Sequence, residues 1–338
     1  MEWSDKSVLV TGGASFIGSH LVDKLVDLGA RVRVVDNLSS GKVENLKNHL
    51  DKETIEFVQT DLRELKAARL AMKNVQVVFH LAASHGGRGY ITRHPADCAA
   101  NLALDGVVFV AACEANIEKV IYASSGCVYP PHLQEDTSQT VFLREDMVGP
   151  PYQTDGMYGW VKLMGEFALR AYYEQYGLRS AICRYFTVYG PRATESHALI
   201  AMIARAFVQQ NPVAVWGTGQ QVRNWTYVSD IVSGTILAAE KIEDATAVNL
   251  GTMEGVRVRD AIEQILRYVG HNAPLVFLPE MPTGPYNRVA DAGLALKLLG
   301  WVPQVDFTTG LTNTIDWYFA NRNPNDVQFM IDNTLFER

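Results

Sequence analysis

Ser7-Val8-Leu9-Val10-Thr11-Gly12-Gly13-Ala14-Ser15-Phe16-Ile17-Gly18 is the stretch that decides the fold. Its apolar start has the length of a strand and stops at two glycines. Phe16, Ile17, Leu21, Leu25 and Leu28 then recur at helical spacing until Gly29. Strand, tight turn and helix in that order aim the helix's first amides at the end of the strand, where a pyrophosphate binds. Asp36 closes a second apolar run, Arg31 to Asp36, 18 residues after Gly18. A carboxylate at about 20 residues meets the hydroxyls of an adenosine ribose, and its charge repels a 2′-phosphate, so the pattern predicts NAD rather than NADP. Ser15 stands where this turn usually has a glycine.

Outward from there, Ile55-Glu56-Phe57-Val58, Gln76 to Leu81, Lys119 to Ser124 and Arg179 to Tyr185 read as further strands separated by helical stretches. The longest helical stretch is Tyr158 to Tyr176. Alternation of this kind predicts an α/β fold, a Rossmann doubly wound parallel sheet. After Pro191 the rhythm loosens, with a helix near Ala198 to Gln210, a strand at Val213 to Trp216 and a helix over Ile231 to Lys241. The expected division is residues 1–186 for the dinucleotide and 187–338 for a smaller mixed α/β lobe without a core of its own. Segments at about 213–250 are expected to return to the Rossmann domain.

The 338 residues, 48% hydrophobic and 20% charged, support a large core and exclude disordered, collagenous and coiled-coil classes. Thirty Lys+Arg against 37 Asp+Glu give a net charge of −7, which argues against nucleic acid or an anionic membrane as partner. No stretch reads as a signal peptide or spanning segment, so a cytoplasmic location is expected. Cys98, Cys113, Cys127 and Cys183 show no metal or redox spacing, and no metal is expected.

Tyr158 and Lys162, four apart on a predicted helix, share a face. An ammonium beside a phenol favours phenolate, which makes Tyr158 a base for a hydroxyl. The strand from Lys119 runs into Ser125-Gly126-Cys127. If it stays extended, Ser125 and Cys127 point together at the ligand edge of the sheet.

These residues are similar to the extended short-chain dehydrogenase/reductases of the nucleotide-sugar epimerase/dehydratase family, over nearly the whole chain. The likeness also rests on His80-Leu81-Ala82-Ala83, Tyr189-Gly190-Pro191-Arg192, Val215-Trp216-Gly217-Thr218-Gly219 and Gly300-Trp301. It implies an NAD site formed by Gly12, Ser15, Phe16, Ile17, Gly18 and Asp36-Asn37. Asp61-Leu62, Leu81, Ala82, Ala83, Asn101, Tyr158 and Lys162 complete that site. It further implies a nucleoside-diphosphate sugar held by Gly87, Arg88, Ser125, Thr187, Val215, Trp216, Arg223 and Arg288, in a homodimer.

Gly86-Gly87-Arg88-Gly89-Tyr90-Ile91 and Ser124-Ser125-Gly126-Cys127 resemble the GDP-mannose 3,5-epimerases most closely within the family. There, and in GDP-fucose synthases, a cysteine at this place exchanges a carbon-bound proton of the sugar. Ser196-His197-Ala198-Leu199 resembles the segment that carries the partner histidine of the synthases. The resemblance therefore implies Ser125, Cys127, Tyr158, Lys162 and His197 as catalytic residues of a C3 and/or C5 epimerase. Two alternatives stay open at this point: a 4-epimerase, and a dinucleotide-binding sensor without catalysis. Retention of Ser125, Tyr158 and Lys162 weighs against the sensor.

Overall fold

The computed structural model describes residues 2–136 and 138–333. Ser7–Thr11 (β1), Arg31–Asp36 (β2), Ile55–Gln59 (β3), Val77–His80 (β4) and Lys119–Ser125 (β5) lie in one sheet with Ser180–Tyr185 and Asp244–Leu250. The order is Asp244–Leu250, Ser180–Tyr185, β5, β4, β1, β2, β3, and every pair is parallel. The direction of winding reverses between β1 and β4. In such sheets the crevice beyond the strand ends at this point takes the ligand.

Side chains alternate across β1. Val8 and Val10 join Leu21, Leu25 and Ile231 in the core on one face, and Leu9 joins Val78, Val108 and Phe109 on the other. Both faces are buried, which is why the strands read as unbroken apolar runs. The first helix, Phe16–Asp27 (α1), buries Leu21, Val22 and Leu25, and Gly29 at φ +82° turns the chain out of it toward β2.

The smaller lobe departs from expectation in two ways. It has a core of its own, in which Leu199, Ile203, Val215, Ile262, Ile265 and Ile315 pack together. Of the returning residues, only Asp244–Leu250 joins the large sheet, while Val228–Lys241 packs against it. Val213–Trp216 instead pairs in parallel with Leu275–Leu278. Nothing in its apolar alternation distinguishes the two sheets. In the carboxy-terminal segment Val327 is buried and Phe329 is 66% exposed, and residues 334–338 of the tail lie outside the described ones.

A four-stranded sheet of short strands aligns the lobe with the cleft: Val256–Arg257, Val222–Arg223, Asn287–Ala290 and Phe142–Leu143. Val222–Arg223 and Asn287–Ala290 run parallel with Arg223 directly opposite Arg288. Facing residues of paired strands project to one side, so the register sets two guanidinium groups next to each other.

Candidate active site

Thr11 ends β1 with a hydroxyl that accepts the N–H groups of Leu81 (3.2 Å) and Ala82 (3.1 Å) and donates to His80 Nδ1 (2.8 Å). His80 Nε2 then donates to Asp105 (3.0 Å), which also accepts the Tyr122 hydroxyl (2.6 Å). The turn after β4 is thereby tied to the turn after β1. A Cβ on Gly12, whose φ is +70°, would lie 2.9 Å from the Ala82 backbone, and one on Gly18 would overlap the Gly12 carbonyl. Only glycine permits this cradle. Gly12, Ser15, Phe16, Ile17 and Gly18 line a cavity of about 390 Å³ together with Leu81, Ala82 and Ala83. The first amides of α1, which have no acceptor within the helix, face this space.

Asp36 accepts the N–H groups of Ala14 (3.0 Å) and Leu38 (2.8 Å). Burial raises its pKa, partly opposed by these bonds and by the Ser15 side chain. The serine at the usual glycine place thus supports the Asp36 carboxylate. Asp36, Asn37, Asp61, Leu62 and Asn101 do not line the cavity wall. Asp61 lies outside it, where the Arg63 side chain pulls its pKa down to about 2. Asn101 sits one layer behind, accepting the Ser84 N–H (2.6 Å) and donating to the Ser84 carbonyl (3.0 Å).

Ser125, Cys127, Tyr158, Lys162 and His197 all line the cavity. Ser125 and Cys127 do not meet through strand alternation, because Gly126–Val128 is a 3₁₀ turn. The Ser125 hydroxyl accepts the Cys127 N–H (3.1 Å), and this bond folds the thiol toward Tyr158. Lys162 Nζ stands 5.7 Å from the Tyr158 ring centre and 4.7 Å from that of Tyr122. The expected lowering of the phenol's pKa is not found. Burial raises it well above its ordinary value, and Cys127, Cys98 and Asp105 add to the rise. Burial also lowers Lys162, against the charge of Asp105.

The eight residues expected at the substrate, Gly87, Arg88, Ser125, Thr187, Val215, Trp216, Arg223 and Arg288, also line the cavity. Sequence reasoning missed what connects them. Asp155, just before the Gly156–Tyr176 helix, is paired with Arg88 (Nη1 to Oδ1, 3.1 Å) and with Arg288 (Nη2 to Oδ2, 2.6 Å). Arg288 also donates to Gln134 Oε1 (2.8 Å) and to Cys127 Sγ (3.3 Å). Burial opposes its charge, but Cys127 and Asp155 outweigh that and raise its pKa. Arg223, turned toward the Val222 and Thr283 carbonyls, is drawn down to about 9 by burial and by the charges of Arg288 and Arg88. Three guanidinium groups and one carboxylate leave two positive charges in excess, the balance a diphosphate requires. Among the described residues no cluster of His, Cys, Asp or Glu is arranged for a metal.

A glycine turn at the switch point of a doubly wound sheet, with serine, tyrosine and lysine beside it, defines a nicotinamide-dinucleotide enzyme of the short-chain dehydrogenase/reductase type. The chain belongs to the NAD dependent epimerase/dehydratase family, whose pattern matches residues 8–251. Its cofactor is NAD, which the Gly12 cradle and Asp36 fit. It is 34% identical to an uncharacterized UDP-glucose epimerase of Bacillus subtilis (strain 168), over 91% of this chain and 96% of that one. It is 30% identical to the GDP-mannose 3,5-epimerase of Arabidopsis thaliana, over 92% and 81%. The solved UDP-glucose 4-epimerase of Thermotoga maritima with UDP-glucose superposes with a TM-score of 0.82 at 31% identity, over 92% and 98%.

Proposed function

We propose that the chain is a nucleoside-diphosphate-sugar epimerase that retains NAD, passes through a transient 4-keto sugar and inverts C3, C5 or both by way of Cys127. The observation that carries this reading is the Cys127 thiol on the cavity wall, clustered with Tyr158 and hydrogen-bonded to Arg288 at 3.3 Å. NAD held at the Gly12 turn would supply a hydride acceptor for C4 and a positively charged ring. Tyr158 exchanges a proton with the 4-hydroxyl, Ser125 orients that hydroxyl, and Lys162 holds positive charge behind the phenol. The ketone acidifies the hydrogens at C3 and C5, so a thiolate removes one and an imidazole, His197 in the sequence reading, returns one. Arg223 and Arg288 hold the diphosphate, with Val215 and Trp216 walling the base.

Incubating the NAD-loaded enzyme with UDP-, GDP- and dTDP-hexoses in heavy water tests the reading. Deuterium at C3 or C5 is expected, reduced at least ~10²-fold in Cys127→Ala. Inversion at C4 without solvent deuterium would replace it with a second reading, a simple 4-epimerase, which the likeness to the Thermotoga enzyme favours.

The protein works as a cytoplasmic homodimer, its two lobes serving dinucleotide and nucleotide sugar. Four free cysteines suit a reducing compartment. Met157, Trp160 and Met164, exposed at 41%, 40% and 48%, form one stripe on the Gly156–Tyr176 helix. Leu102, 48% exposed, extends the stripe on the neighbouring Asn101–Glu114 helix. A second copy covers this face. Trp160→Lys is expected to yield monomers in sedimentation equilibrium; an unchanged dimer mass would move the interface elsewhere.

A further inference from the structure

We infer that His85, not His197, is the imidazole that exchanges the second proton with the sugar, as the counterpart of Cys127; this rests on the C3/C5 reading above. The carbons to be inverted are bonded to C4, whose hydroxyl must meet Tyr158. The second proton-transfer group therefore has to stand against the Tyr158 ring. His85 does, with ring centres 4.9 Å apart. His197 makes ring contact with His85, at 5.7 Å, on the same cavity wall, and has no ring contact with Tyr158 among those the described residues show.

The surroundings divide the two histidines further. His197 Nδ1 faces the Thr194 carbonyl at 3.4 Å and the Thr194 hydroxyl at 3.3 Å, and a carbonyl can only accept, so Nδ1 carries the hydrogen. Burial lowers the pKa of His197, against the smaller opposing effects of Thr194 and Glu195. A neutral ring there lets its neighbour take up a proton without two like charges in contact.

His85 is also held from both sides. Asn101, 1% exposed, clamps both backbone groups of Ser84, and Ser84 Oγ lies 3.0 Å from the Tyr90 hydroxyl. On the other side Gly87 lies so close to Ser196 that a Cβ would overlap its carbonyl. The turn that presents His85 is thus anchored on both flanks.

In the step itself, the Cys127 thiolate takes the proton from C3 or C5, and the C–H electron pair becomes the double bond of an enolate whose negative oxygen is on C4. His85 in its imidazolium form then gives a proton to the same carbon, and that electron pair forms the new C–H bond. Cys127 ends as thiol and His85 as neutral imidazole. Water in the open cavity returns one proton to His85 and accepts one from Cys127, so no oxidant or reductant is consumed.

His85→Phe keeps a ring against Tyr158 but has no proton to exchange. With UDP-glucose and GDP-mannose as probes in heavy water, formation of the C3 or C5 epimer carrying deuterium should fall at least ~100-fold, while exchange with retention through Cys127 continues. The absorbance change of the bound nicotinamide, which reports oxidation at C4, should keep its amplitude. His85→Gln, which keeps a polar group of similar reach, should show the same loss. Labelled-epimer formation within ~3-fold of wild type in either variant overturns the assignment to His85, as does a larger loss in His197→Gln than in either. Absence of deuterium at C3 and C5 in the wild type would instead remove the C3/C5 reading itself, and this inference with it.

Discussion

Tyr158→Phe should lower turnover by about 10³-fold or more, the upper part of the range for a lost acid–base group, while the protein still carries NAD. The phenol is 7% exposed and clustered with Cys127, Cys98 and Tyr90, so loss of the hydroxyl removes a proton-transfer group and leaves the packing in place. The cofactor cradle lies at the Gly12 turn on another strand, and Phe fills the same ring volume. Turnover of UDP-, GDP- and dTDP-hexoses gives the first readout and the nicotinamide content of the purified variant the second. A variant with turnover within tenfold of wild type would remove Tyr158 from the chemistry. One that loses NAD together with turnover would assign it to cofactor binding.

The second large effect lies beneath the site. Glu166, fully buried, accepts Arg184 Nε (2.9 Å) and Nη2 (2.8 Å) through its two oxygens, and the Ser124 hydroxyl at 2.6 Å. This pair ties the Gly156–Tyr176 helix to the strands that carry Ser125 and Arg184. Glu166→Gln removes the charge and leaves a guanidinium that is 2% exposed without its counter-ion. The expected cost is about 3–5 kcal/mol of unfolding free energy, read from urea titrations of the holoprotein. A loss under about 1 kcal/mol would mean that water or another acid compensates Arg184.

The same carboxylate sets a pH signature. Burial alone would raise its pKa, but Arg184, Ser124 and Arg170 together outweigh it and the folded value lies below the ordinary 4.5. The unfolded chain therefore binds more protons as the pH drops. The stabilisation is complete above about pH 4.5 and is lost as pH falls through the folded value. Buried Asp105 and Asp155 shift in the same direction, each with burial overcome by cationic or hydrogen-bonding neighbours. Wild-type stability should accordingly fall more steeply below about pH 4.5 than that of Glu166→Gln.

What could be read in the sequence was what local spacing determines. The β1 turn with Gly12 and Gly18 and the carboxylate at Asp36 lie within one βαβ unit, and the Tyr158–Lys162 step within one helix, where periodicity and chain direction suffice. Arg223 and Arg288 were legible as cations, but their side-by-side placement comes from parallel pairing across 65 residues. Asp155 was missed because a polar residue before a helix reads as a cap. Here its side chain makes no capping bond and is taken by two arginines. Cys127 was found through a wrong local geometry, since a turn rather than strand alternation brings it to the cavity. His85 belongs to no local motif, because its ring contact with Tyr158 depends on how two distant turns meet.

The strand Asp244–Leu250 borders Ser180–Tyr185 and completes the large sheet from far along the chain. During synthesis the first 186 residues leave the ribosome with that edge bare, its N–H and C=O groups and its apolar faces without a neighbour. Residues 1–186 on their own would leave Ser180–Tyr185 as an uncovered edge. Nascent chains stay exposed to mispairing until residue 250 has emerged, which makes the two functional lobes a single unit of biogenesis.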